Sequence, residues 1–277
     1  MKQMPMTIAL GVLSMTLLMG GRCMQVNRPY AAPTAEDLVN ATLHRNRQLR
    51  AFRAEARMSH KTDQGLVKAT VRMMAEVGKK VRFDVVSPFD TPLATLVADG
   101  KDFALIDTKQ NRYFHGPASP CNLARLLRIQ ISAGDVLTIL GGSTPVIEHH
   151  KRSISWDDRA GQELLKLEGA RFRQEIRLKR SKDTWELRRS VVYDLKGREL
   201  LKIIAGKFKT ISGLRVATNL KISQPIYKAA LEMRFVSREV NIKLPTIAFE
   251  LPPSDGLIRE RVVCSPEATS AKGKPAE

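Results

Sequence analysis

The chain is short of most groups that carry chemistry. Its 277 residues include three cysteines and five histidines. No CxxC pair occurs, and no Cys/His spacing fits a zinc site, so a zinc-organised fold is excluded. Gly141-Gly142 is followed by no Gly-Lys-Ser or Gly-Lys-Thr and reads as a helix stop, not a phosphate loop. His149-His150 is a tempting pair, but neighbours on a strand point to opposite faces, so one metal ion cannot easily use both. Asp157-Asp158 reads as a polar turn. No nucleophile is placed near a base in any recognisable pattern. These absences point to a binding protein and not an enzyme, with no cofactor and no metal.

Aromatic residues are scarce too, at 5% of the chain. That scarcity matters because the charge is strongly basic, 46 Lys+Arg against 28 Asp+Glu, net +18. A basic chain suggests nucleic acid, but reading single strands needs aromatics interleaved with the cations, and none are so arranged. Long apolar runs are also missing. The longest, residues 8–21 (IALGVLSMTLLMGG), is 14 residues, where a spanning helix needs about 20. It follows Lys2 at the N-terminus, so residues 1–22 read as a secretory signal. In an exported chain, the basic charge is directed toward anionic lipid head groups or lipopolysaccharide.

Cys23 directly follows the signal and is a candidate for lipid attachment. Bacterial lipoproteins usually carry Leu, a small residue and then Gly or Ala before that cysteine; Arg22 departs from the pattern. Two locations follow: an outer-membrane lipoprotein facing the periplasm, or a soluble periplasmic protein if Cys23 is not lipidated. Cys121 and Cys264 remain, as a disulfide or as two thiols.

What the sequence does have is period-two alternation. After a linker at residues 23–33, Thr34 with Glu36 and Asp37 marks a helix start, predicting a helix over about 35–47. Strands follow at about 51–56, 65–74, 80–86, 93–98, 102–107 and 111–115, with a hairpin at Asp99-Gly100. Two short helices are predicted at 121–128 and 133–140, the second ended by Gly141-Gly142. Strands then resume. In residues 171–179, Phe172, Gln174, Ile176 and Leu178 alternate with Arg171, Arg173, Glu175, Arg177 and Lys179. Trp185, Leu187, Val191 and Tyr193 are expected to share one face of the next strand. Further strands fall near 199–208, 214–222 and 231–235, and residues 257–277 read as a disordered tail.

In order and spacing this layout resembles the LolA/LolB family of outer-membrane lipoprotein carriers, and LolB more closely. The resemblance covers residues 34–256. It is carried by KVRFDVVSPFDTPLATLVADG, FALIDTKQNRYFHGPAS, the Leu-Gly-Gly helix stop, ISGLRVATNLKIS and VNIKLPTIAFELPPSDG. It implies a half-open antiparallel β-barrel, here of about eleven strands, with three short helices over its mouth. It implies a function as well: binding the acyl chains of lipoproteins in an apolar cavity and delivering them to the outer membrane, as a monomer, from a LolA-type periplasmic donor. The cavity lining expected on this basis is Phe83, Val85, Leu96, Phe103, Leu105, Phe172, Ile176, Leu178, Trp185, Leu187, Leu220, Met233 and Phe235. LolB proteins insert an exposed Leu from an Asn-Pro-Leu-Gly loop into the bilayer; here Pro88 and Phe89 stand in the equivalent loop, with Phe89 at the tip. A glycolipid or lipopolysaccharide carrier, an envelope-stress sensor, and a structural envelope protein with a filled barrel are the other readings that this fold allows.

Overall fold

The computed structural model describes residues 25–263 except 63–64, 88 and 128. The signal segment, Cys23, Pro88, Cys264 and the rest of the tail lie outside the described residues.

Helix α1 (Ala35–Gln48) begins where the sequence places it. Thr34 Oγ1 accepts the Asp37 N–H at 3.1 Å, and Asp37 Oδ2 accepts the Thr34 N–H at 2.8 Å, a reciprocal capping box. Those hydrogen bonds hold the Asp37 carboxyl below its usual range. The helix buries Leu38, Val39 and Thr42.

Two meanders follow. The first is β1 (Ala51–Thr62), β2 (Gly65–Glu76), β3 (Lys80–Val86), β4 (Pro92–Ala98), β5 (Asp102–Asp107) and β6 (Arg112–Pro117). Helices α2 (Pro120–Leu127) and α3 (Ala133–Leu140) intervene. The second meander is β7 (Lys151–Asp157), β8 (Gln162–Glu168), β9 (Phe172–Ser181), β10 (Thr184–Asp194), β11 (Glu199–Ile211), β12 (Leu214–Gln224) and β13 (Ala229–Val240). β13 pairs with β1, joining the two meanders into one sheet. A final strand, β14 (Ile258–Arg261), lies parallel to β6. The order is β14-β6-β5-β4-β3-β2-β1-β13-β12-β11-β10-β9-β8-β7, open between β14 and β7. This is the expected half-open, antiparallel barrel-like sheet with three helices.

The expected count of eleven strands is too low: there are fourteen among the described residues. β7 is an edge strand whose first three residues, Lys151, Arg152 and Ser153, are all exposed, so it carries no alternation to read. β8 sets Leu164 beside Leu165, which blurs the period. β14 lies in the segment read as tail. Backbone pairing holds it, from Ile258 opposite Arg112 to Arg261 opposite His115, and Val262 beyond it is buried. Its partner is non-local, and a four-residue edge strand needs little apolar sequence. On the way there the chain crosses the outer face of the first meander, where Leu244 and Phe249 form a small second core with Ala51.

Antiparallel succession sorts the turns between two rims. One, here the upper rim, carries the β1–β2, β3–β4, β10–β11 and β12–β13 turns. The lower rim carries the β2–β3, β4–β5, β7–β8 and β9–β10 turns. Residues 25–33, expected as a linker, are docked rather than free: the Val26 N–H donates to the Asp158 carbonyl at 2.7 Å on the lower rim, and Glu36 reaches Arg152 at the start of β7.

Alternation in β9 is as read, with Gln174, Ile176 and Leu178 buried and Arg171, Arg173 and Lys179 exposed. In β10 the expectation fails. A bulge lies between Leu187 and Arg189, so Ser190 and Val192 pair with the inward Ile176 and Gln174, while Val191 and Tyr193 pair with Glu175 and Arg173. One extra residue reverses every side chain after it. A similar shift in β13 brings Arg238 opposite Ala54 on the inner face, where its guanidinium lies 3.4 Å from the centre of the Phe235 ring.

Candidate functional site

The concave face of the sheet gathers most of the expected lining. Phe83, Leu96, Phe103, Leu105, Ile176, Leu178, Leu187, Leu220 and Met233 are buried in one core cluster. Val85, Trp185 and Phe235 are half-buried against it. Phe172 stands apart, in an open groove near the upper rim.

The face is plugged by the chain itself. α3 is apolar on most sides, and Val136, Ile139 and Leu140 press onto Phe83, Ile222 and Met233, with Leu127 and Ile131 beside them. The space left there is about 20 Å³, close to the least that holds one water. Ser132 caps the helix by accepting the Asp135 N–H at 3.1 Å. Gly141-Gly142 ends it, and the pair does more than stop a helix. A Cβ on Gly142, whose φ is +84°, would lie 2.5 Å from the Ala217 Cβ; one on Gly141 would lie 2.6 Å from Leu49 Cδ2. Glycine lets the end of α3 seat directly on β12 and next to α1.

The connection between α2 and α3 is held by one side chain. The Gln130 N–H donates to Gln224 Oε1 at 2.7 Å, and Gln224 Nε2 donates to the Gln130 carbonyl at 2.8 Å. Gln224 is itself buried. Sequence reading missed this clasp, because a glutamine ending a strand carries no distinguishing pattern. After α3, residues 143–149 are pinned to the inner face by a buried polar group. Gln174 Nε2 donates to Ser190 Oγ at 3.0 Å and to the Pro145 carbonyl at 2.8 Å, and Gln174 Oε1 accepts the Ile147 N–H at 3.1 Å.

Beside this segment lies a groove of about 640 Å³. Phe172, Val192, Leu201, Val146 and Ile147 are its apolar lining, and Asp135, His149, His150 and Arg171 its polar edge. The histidine pair thus sits at a groove mouth, with His149 Nδ1 2.9 Å from the Ile147 carbonyl oxygen.

The loop before β4 projects from the upper rim. Ser87 Oγ accepts the N–H of Phe89 at 3.2 Å and of Thr91 at 3.1 Å, and Asp90 takes a left-handed φ of 64°. Phe89 is 90% exposed, so it does not fold back over the core. Arg72 donates to both Asp90 oxygens, at 2.7 and 2.8 Å, which offsets the acidic charge beside the tip. Other exposed apolar side chains share this rim: Leu66 and Val67 where β2 begins, and Ile226 and Tyr227 in the short turn Pro225–Tyr227. The basic face of β9 is partly engaged, since Arg177 pairs with Asp157 and Arg173 donates to the Leu195 carbonyl. Cys121 is disulfide-bonded.

No family model matches the chain, and no curated protein matches it. Solved structures do. A DUF1329 family protein from Desulfovibrio piger is similar with a TM-score of 0.56 and 15% identity, over 79% of this chain and 98% of that one. A LolA superfamily protein from Nitrosomonas europaea gives 0.54 and 14%, over 79% and 99%. A putative outer membrane lipoprotein-sorting protein domain from Vibrio parahaemolyticus gives 0.54 and 16%, over 78% and 97%. The chain shares their fold.

Proposed function

We propose that this chain is a periplasm-facing lipid-binding carrier that takes the acyl chains of lipoproteins onto its concave face and passes them to the outer membrane, in the manner of LolB. It is a binding protein and not an enzyme. The observation that carries this reading is the plug: an apolar concave face filled by a separate helix of this chain, α3, which is attached through a polar clasp and a glycine pair. An acyl chain has the same chemistry as Val136, Ile139 and Leu140 and would replace them as α3 swings away. Burial of acyl carbons supplies about 0.8 kcal/mol per CH2, so transfer must run downhill from donor to carrier to bilayer. The exposed Phe89 tip and its neighbours on the upper rim suit the last step. The shared fold supports the reading at the level of architecture.

A second reading, a structural envelope protein with a filled barrel, is favoured by the residual space of about 20 Å³ beneath α3. Native mass spectrometry of protein purified from cell envelopes separates the two. A bound acylated peptide supports the carrier, a bound glycolipid changes the cargo, and a protein that carries no lipid favours the filled barrel.

A further inference from the structure

Both tryptophans of the chain stand on the inner face near the lower rim, away from the plug. Trp156 is on β7 and Trp185 on β10, with Glu163 of β8 and Arg180 of β9 between them. Glu163 is fully buried, an unusual place for a carboxylate. Its ion-pair partner comes from 135 residues earlier in the chain: Arg28 Nε donates to one carboxylate oxygen at 2.7 Å and Arg28 Nη2 to the other at 3.1 Å. Two residues on, Tyr30 packs edge-on against Trp156 and Trp185, with ring centres 6.0 and 5.4 Å apart. Arg180 covers the Tyr30 and Trp185 rings at 5.1 and 5.9 Å. The backbone is read as well: the Val26 N–H donates to the Asp158 carbonyl, and Trp156 Nε1 donates to the Val26 carbonyl at 2.9 Å.

These contacts are the elements of a peptide-recognition site. There is a buried, bidentate acceptor for one guanidinium, an aromatic box for one ring two positions later, and an edge strand whose end hydrogen-bonds to an extended backbone. The occupant belongs to a segment with no helix or strand of its own. The buried Tyr30 hydroxyl lies beside the Glu163 carboxylate.

We propose that Trp156, Glu163, Arg180 and Trp185 form a binding site for an extended polypeptide segment of another protein carrying Arg-x-aromatic, and that residues 26–30 are its resident, exchangeable occupant. The site lies on the same concave face as the plug but at its lower rim, and none of the contacts that hold residues 26–30 involves α3, so it does not depend on what replaces that helix. Charge complementarity names the partner's chemistry: a carboxylate with no exposure accepts a guanidinium and rejects an acidic segment. The resident segment is covalently attached, so a partner competes against a high effective concentration and gains the site only when it is locally enriched.

The two native tryptophans report occupancy without a label. In the full chain, Arg28→Ala/Tyr30→Ala is expected to shift tryptophan emission to the red and roughly double its quenching by acrylamide, while far-UV circular dichroism is unchanged. A synthetic peptide of residues 24–34, added to that variant, is expected to reverse both changes. The same peptide with Arg28→Glu is expected to leave them in place. A fluorescein-labelled peptide should bind wild type about tenfold or more weaker than it binds the variant. The proposal is overturned if the peptide leaves the variant spectrum unchanged at millimolar concentration, or if the Arg28→Glu peptide works equally well. If the double variant fails to fold, Arg28→Gln takes its place in the same titration with the same two outcomes.

Discussion

Two segments from outside the sheet lie against its concave side, and they are held by opposite kinds of force. α3 is held mainly by burial: Ile139 and Leu140 are almost wholly removed from water against Phe83, Ile222 and Met233. The N-terminal segment is held by direction: a bidentate ion pair, a ring box and two hydrogen bonds to backbone carbonyls. Burial is indifferent to what supplies the apolar surface, so on the proposed function a lipid tail would stand in for the helix. Directional contacts are selective, so a replacement must reproduce the same groups. One concave face thus carries a permissive region and a selective one.

The largest test of that contrast is Ile139→Ala. Truncation should lower unfolding free energy by about 3 kcal/mol in urea titration. If α3 is an exchangeable plug, the same variant should bind a fluorescent fatty acid more tightly than wild type. A loss of stability with no gain in binding would make α3 ordinary core. Gln224→Ala comes next, leaving both the N–H and the carbonyl of Gln130 without their partner at a cost of about 1–2 kcal/mol. Hydrogen exchange should then quicken in α2 and α3 before the strands; uniform quickening would show that the clasp is not what holds the plug.

On the selective side the lever is alkaline pH. Burial, with the Glu163 carboxylate beside it, pushes the Tyr30 phenol up to about 12. A phenol whose folded value is raised stabilises docking fully below its ordinary value near 10, and that contribution fades as pH climbs through 12. Tryptophan emission should therefore stay constant to about pH 10 and shift red above it, with Tyr30→Phe removing the dependence. A wild-type spectrum unchanged up to pH 12 would mean the ring box does not hold the segment. The smallest effect on the fold is expected from Phe89→Glu, under about 0.5 kcal/mol because the ring is in solvent. That variant should still slow transfer from a loaded carrier to liposomes, and equal rates would reduce the loop to a turn.

The contrast also tracks what the sequence made legible. Local signals were readable: the Thr34–Asp37 capping box, the alternation of β9, the extents of α2 and α3 to within a residue, and the projecting Phe89 loop. Which residues face the concave side was largely readable as well, because the period of two fixes it. What was not readable is non-local. Arg-Pro-Tyr at 28–30 has linker composition, and its partner Glu163 is 135 residues away. The β10 bulge depends on β9 being one residue shorter over the same stretch. Nor does alternation reveal whether an inward face is hollow or filled: the same Phe83 and Met233 would line a cavity or meet Ile139.

If Cys23 carries a lipid and the docked N-terminal segment is exchangeable as proposed, that segment would work as a leash of two lengths. Val26 is fastened beside Asp158 on the lower rim, while Phe89, Leu66 and Ile226 project from the upper one. Strands of roughly ten residues at about 3.3 Å each set the rims about 30 Å apart. With the segment docked, an attachment at Cys23 would have three residues of play, about 10 Å, and the apolar tips would point away from the surface that holds it. With the segment released, the leash would run eleven residues from Cys23 to Thr34, about 35–40 Å, enough for the molecule to turn end over end. On that reading Arg28 and Glu163 would decide which way the apolar tips of an anchored molecule face.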